Sequence, residues 1–175
     1  GTNFVVIRFG LNHLPPLLFA ALRFALVFLP AALFLRRPQV PLLRLAAYGI
    51  AIGAGQFGLL FLAMKQDISP GLASLVVQSQ AFFTIGLAMV LTGDRPRPHQ
   101  WLAVLLAASG IVLIGYMGGG DATPLGLLLV LLAGLSWAAG NLIARSTPGV
   151  NMLAYVVWSS VFAVPPLVAL SFIFE

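Results

Sequence analysis

The sequence predicts an all-α integral membrane protein, a polytopic helix bundle, and three observations carry that prediction. First, 61% of the 175 residues are hydrophobic and only 7% are charged, whereas soluble domains carry about 25% charged residues. Such a chain cannot clothe a globular surface in water. Second, seven apolar segments follow one another, most of them near the ~20 helical residues that a bilayer core demands. Third, none alternates with the two-residue period of a strand, and helices satisfy their own backbone polar groups in lipid. There is no cysteine, which excludes disulfides and thiolate metal sites, and no residue pattern calls for a metal or a cofactor. A net charge of +5 would suggest nucleic acid in a soluble protein. Here the basic residues flank apolar segments and read as topology signals instead, so the partners expected are the lipid bilayer and a small molecule.

The segments can be taken in order. The first, 1–11, is too short to span, and its start at Gly1 reads as a cut inside a helix. The second, 15–35, opens on Pro15-Pro16, residues suited to a helix start. The third covers 45–64, between Arg44 and Lys65. The fourth, 69–93, opens on Ser69-Pro70-Gly71 and holds Ser74, Gln78, Gln80 and Thr84 in its middle. On a regular helix, Ser74, Gln78, Ala81, Ala88 and Thr92 fall within a sector of roughly 80°. That small, amide-bearing face must turn to protein or water. The fifth, sixth and seventh segments cover 99–117, 124–144 and 152–174. Connections are short and rich in Pro, Gly and charge, such as Arg36-Arg37-Pro38 and Gly118-Gly119-Gly120-Asp121.

Charge gives the orientation. Arg36, Arg37, Arg44, Arg95, Arg97 and Arg145 follow the even-numbered segments, and only Lys65 lies on the other side. Six against one places the even-numbered helix ends, and the N-terminus, in the cytoplasm. Small residues four apart, Gly49/Gly53, Ala103/Ala107 and Gly134/Ala138, mark helix contacts.

An internal echo divides the chain. Gly1-Thr2-Asn3-Phe4 resembles Gly140-Asn141-Leu142, and Arg23-Phe24 through Pro30 resembles Trp158-Ser159 through Pro165. A five-helix unit over 1–118, its first helix truncated, is followed at 119–175 by the first two helices of a second copy. An odd helix count inverts that copy, a recurrent plan in transporters. The stretches Gly1-Thr2-Asn3-Phe4, Pro15-Pro16, Leu22-Arg23-Phe24, Gly71-Leu72-Ala73-Ser74-Leu75 through Gln80-Ala81-Phe82-Phe83, and Ser136-Trp137-Ala138-Ala139-Gly140-Asn141 together resemble EamA-type carriers. These belong to the drug/metabolite transporter superfamily, and the likeness is to bacterial O-acetylserine/cysteine exporters in particular. The resemblance implies ten helices in two inverted five-helix repeats, a central cavity and alternating access in the inner membrane. The last three helices are missing from this chain.

Candidate binding residues follow from polarity inside apolar segments. Arg23 lies about 12 Å below its helix end at 1.5 Å per residue. A charge there faces a cavity or a partner, and a guanidinium can clamp a substrate carboxylate bidentately. The bland alternative is a structural arginine bonded to carbonyls or snorkelling, which is the leading reading for Arg8. Gln78 and Gln80 can bind a zwitterionic or amide-bearing solute or serve as interhelical glue; two residues apart, they cannot share one face, and Gln78, which sits with Ser74, is preferred, with Gln56 a further candidate. Asn3 and Asn141, equivalent in the repeat, bridge helix turns or touch solute. Trp137, Trp158 and Tyr48 line a cavity or anchor at the interface. Phe82 and Phe83 read as packing, and His13 and His99 as solvated loop residues.

The function expected is export of small amino-acid-like metabolites, with export of drugs or amines, or a non-transporting structural subunit, as alternatives. An intramembrane enzyme is disfavoured, because inside the segments, past His99 at the start of the fifth, there is no His, Cys, Asp or Glu to build a reactive cluster. Proton coupling, which needs such an acid, has no candidate inside these segments.

Overall fold

The computed structural model describes residue 10 and residues 13–93, 97–117 and 122–175. The first segment apart from Gly10, and with it Asn3 and Arg8, lies outside the described residues. Helices account for the other six segments, and their ends fall within a few residues of the predicted ones. We label them α1 (Pro16–Phe34), α2 (42–66), α3 (70–92), α4 (Pro98–Met117), α5 (Pro124–Arg145) and α6 (Met152–Phe174). Five are long and apolar enough to cross a membrane, and α4 is a further apolar helix. The protein is a multi-pass membrane protein.

Two helices are not regular. Helix α2 runs as α-helix over Leu42–Ile50, widens to a π-helix over Ala51–Gly58, and tightens again over Leu59–Gln66. Its glycines at 53, 55 and 58 offer little resistance to widening. The Ser136 hydroxyl of α5 donates to the Ala51 carbonyl at 2.8 Å. Helix α3 is α-helical over Pro70–Val76, passes through a 3₁₀ turn at Val77–Ser79, and resumes over Gln80–Thr92. It ends at Gly93, whose φ of 69° is the left-handed cap that glycine adopts without penalty.

Helix α2 is the centre of the bundle, with α1, α5 and α6 packed around it. Small residues make this possible. A Cβ on Gly49 would land on the Ser159 carbonyl of α6, one on Gly53 on Ala163, and one on Gly55 on the Ser136 hydroxyl. Without a strong hydrophobic drive between helices in lipid, such backbone approach is what adds dispersion energy. The Gly49/Gly53 pair therefore does what its spacing predicts, and so does Gly134, which sits against Ser79 and Gln80 of α3. The Ala103/Ala107 pair does not: Ala103 is exposed and Ala107 half-buried, and α4 shares a pocket lining with α3 through Gln100, Trp101 and Val104 instead. Loss of the Ser136 hydrogen bond is expected to cost about 0.6 kcal/mol, the mean for such bonds in membranes. Thermal unfolding of Ser136→Ala in detergent checks this.

Helices α1 and α6 run antiparallel along each other. These are the segments that echo in sequence. At one end Trp158 Nε1 donates to the Leu35 carbonyl at 3.0 Å, and its ring meets Phe28 edge-on. At the other end the Glu175 carboxylate accepts from the Leu17 amide at 3.0 Å and from Ser171 Oγ at 2.8 Å. It thereby caps the N-terminus of α1, which begins with Pro15-Pro16 and has no side-chain cap of its own. The first of these ends also gathers Arg36, Arg37, Arg44 and Arg145, with Arg44 Nη1 donating to the Ser146 carbonyl at 3.0 Å. The second carries Asp67, whose carboxylate accepts from Thr123 Oγ1 at 2.9 Å. These four arginines thus share one end of the bundle, and Lys65 lies with Asp67 at the other.

Candidate functional site

Two polar stations stand inside the apolar bundle, one on each side of the α2–α5 seam. The first is Arg23, half-buried on α1. Its guanidinium carbon lies 5.1 Å from the Phe57 ring centroid and 5.4 Å from that of Phe61. Both rings belong to α2, and Phe57 sits in the π-helical stretch. With Ala20, Phe24 and Val27 these groups line a small pocket of about 60 Å³. Aromatic faces attract a cation but do not neutralise it. The two described carboxylates, Asp67 and Glu175, are engaged elsewhere. Arg23 therefore presents a charge with no acidic partner among the described residues.

The second station joins α3 to α5. Asn141 Nδ2 donates to Gln80 Oε1 at 3.0 Å and lies 3.5 Å from Thr84 Oγ1. Thr84 Oγ1 in turn donates to the Gln80 carbonyl at 2.7 Å. Gln80 lies seven, four and three residues after Ala73, Val76 and Val77, so it shares the packed side of α3 that faces α5. Beside it Ser79 is 3% exposed, and its Oγ has no partner among the described residues. A buried hydroxyl without a partner costs about 1–3 kcal/mol.

The remaining predicted residues are placed as follows. Gln56 is buried in the π-helical stretch of α2, one residue from Phe57. Trp137, on α5, packs half-buried against the main core. Ser74 donates to the Gly71 carbonyl of its own helix at 2.6 Å, and Gln78 is exposed. The packed side of α3 carries Ala73, Val76, Val77 and Ser79 instead. Asn3 lies outside the described residues. Tyr48 is buried edge-on against Tyr155, with ring centroids 5.0 Å apart, and Trp158 is bonded to Leu35. Both hold the basic end together. The structure thus groups Arg23 with the helix of Gln56, and Asn141 with Gln80 and Thr84. Phe57, Phe61, Gln80, Thr84 and Ser136 were not singled out by sequence as partners. For Gln80 the one available signal was its own polarity in mid-segment.

Comparison with known proteins bears on all of this. Residues 1–116 match the EamA-like transporter family. The whole chain is 41% identical to 60% of a probable amino-acid metabolite efflux pump of Salmonella typhimurium. It is 33% identical, over 88% of its own length and 52% of the relative's, to YedA of Escherichia coli, an uncharacterized inner membrane transporter. A probable terminal-alkyne amino-acid exporter of Streptantibioticus cattleyicolor is 29% identical over 83% of the chain and 51% of its own length. The chain spans 60% of the length of the Salmonella relative. No solved structure matches. With about two thirds of its residues matched, the chain belongs to the EamA-like transporter family.

Proposed function

We propose that the protein exports small amino-acid-like metabolites, of the cysteine or O-acetylserine type, across the inner membrane by alternating access. The observation that carries this is Arg23: a half-buried guanidinium held by two aromatic rings, with both described carboxylates committed elsewhere. Such a group binds a carboxylate through charge-assisted bonds. The Asn141–Gln80–Thr84 station, on the other side of the α2–α5 seam, offers a separate set of amide and hydroxyl groups along the path of the same class of solute. Ser74, Gln78, Gln56, Asn3 and Trp137 belong to the path on this reading. The chain supplies five helices of one inverted repeat over 1–118 and the first two of the other over 119–175. Its N-terminus lies in the cytoplasm, because the arginine-rich end faces inward. It works as a carrier and not as an enzyme. Names borne by two relatives, an amino-acid metabolite efflux pump and an amino-acid exporter, support the substrate class.

The test is selectivity for the carboxylate. In liposomes bearing the full-length protein, labelled O-acetylserine and cysteine should cross much faster than their methyl esters. Esters or simple amines crossing as fast as the free acids would favour the drug or amine alternative. No flux of any solute would favour a structural subunit.

A further inference from the structure

At the basic end, the chain leaving α1 and the chain entering α6 stand apart around a groove of about 480 Å³. Its polar lining is Arg36, Gln39 and Asn151, and its apolar lining includes Phe34, Val150 and Ala154. The walls are fixed. Leu35 is tied to Trp158 Nε1, Arg44 is tied to the Ser146 carbonyl, and Gly149 turns the second wall with a φ of 78°. Asn151 spends its side-chain oxygen capping α6, on the Leu153 and Ala154 amides at 3.0 and 3.2 Å. That leaves its NH₂ as donor. Arg36 and Gln39 add further N–H donors, and no carboxylate lines the groove. The lining therefore suits an anion rich in acceptor oxygens.

The flank of the groove narrows the choice. At the end of α1, Leu33 is 83% and Phe34 86% exposed, and Met152 and Leu153 are exposed at the start of α6. A cationic groove at the ends of two membrane helices, beside bare apolar side chains, fits a ligand with a charged head and hydrocarbon chains. A free phosphate would use only the groove. We propose that this groove binds the phosphate head group of an anionic phospholipid, with Arg36 as its main contact and the acyl chains along the exposed flank. Arg36 is 13 residues from Arg23, about 20 Å along a helix, so this site is separate from the proposed solute path.

The test uses full-length protein in mild detergent, with bound lipid counted by native mass spectrometry at matched concentrations of phosphatidylglycerol and phosphatidylethanolamine. Phosphatidylglycerol should bind several-fold more tightly. Arg36→Gln should weaken it about fivefold, the share of one basic contact near a lipid surface. Gln39→Glu, at an exposed loop position, should weaken it likewise without burdening the fold. Arg145→Gln, at the same end but outside this groove, should leave it unchanged. Equal binding of the two lipids overturns the proposal. So does an equal loss in Arg145→Gln, which would mean diffuse surface charge, or full displacement by millimolar inorganic phosphate, which would mean a site for free anions.

Discussion

Replacing Arg23 with glutamine is expected to lower transport of carboxylate-bearing solutes by about tenfold to a hundredfold, the worth of a hydrogen bond to a charged group at 1.5–3 kcal/mol. Arg23→Lys should fall between, since lysine keeps the charge but loses the planar fork that holds both carboxylate oxygens. The two variants also separate binding from packing. The guanidinium lies over Phe57 and Phe61, and losing a cation–π contact costs about 0.5–2 kcal/mol of stability. A purely structural Arg23 would lower the melting temperature and slow every solute alike. A carboxylate clamp raises the half-saturating concentration for the free acid and leaves that for its methyl ester nearly unchanged. Measuring both solutes in both variants, beside a thermal melt, decides between the two.

The helices were legible because their cause is local. Seven apolar runs punctuated by Pro, Gly and Arg leave little choice of element, and the six described helices follow those runs. Helix starts were legible for the same reason: α3 begins at Ser69-Pro70 as read, and there the Ser69 hydroxyl accepts from the Leu72 amide. Facing was less legible. Along α3 a constant 100° per residue groups Gln78 with Ser74 on one side and Gln80 with Ala73, Val76, Val77 and Thr84 on the other. The second side is the one that packs and meets Asn141. Polarity alone does not say which side meets protein. The π-helical stretch of α2 carries Phe57 to Arg23. The glycine spacing there signalled close packing, but not a wider helix. The Arg23 side chain was singled out by its charge alone. Its aromatic neighbours lie more than thirty positions along the chain, beyond the reach of any helical period.

The glycine seam offers the second large effect. Gly53→Val is expected to destabilise the folded protein by about 3 kcal/mol, the upper end for overpacking. It would appear as a loss of monodisperse protein and a lowered melting temperature. The physical reason is specific. A Cβ at this position lands on the Ala163 side chain and approaches its Cα to 2.9 Å, so backbone and not a flexible chain end must move. Ala163 is wholly buried and cannot swing aside. Gly86 on α3 and Gly110 on α4 supply the control, for among the described residues no atom beyond the helix's own neighbouring backbone lies within 4 Å of a Cβ at either. Alanine there should be neutral or stabilising by up to about 1 kcal/mol through helix propensity alone. The pair Gly53→Ala with Ala163→Gly adds a sharper arm. If the seam is a matter of volume, moving the methyl from α6 to α2 recovers most of the loss of Gly53→Ala, and the cycle shows strong coupling. If the glycine is needed chiefly to let 51–58 widen, the second substitution recovers nothing. That outcome would assign the π-helical stretch, and with it the position of Phe57 under Arg23, to backbone freedom at Gly53 instead of to the approach of α6.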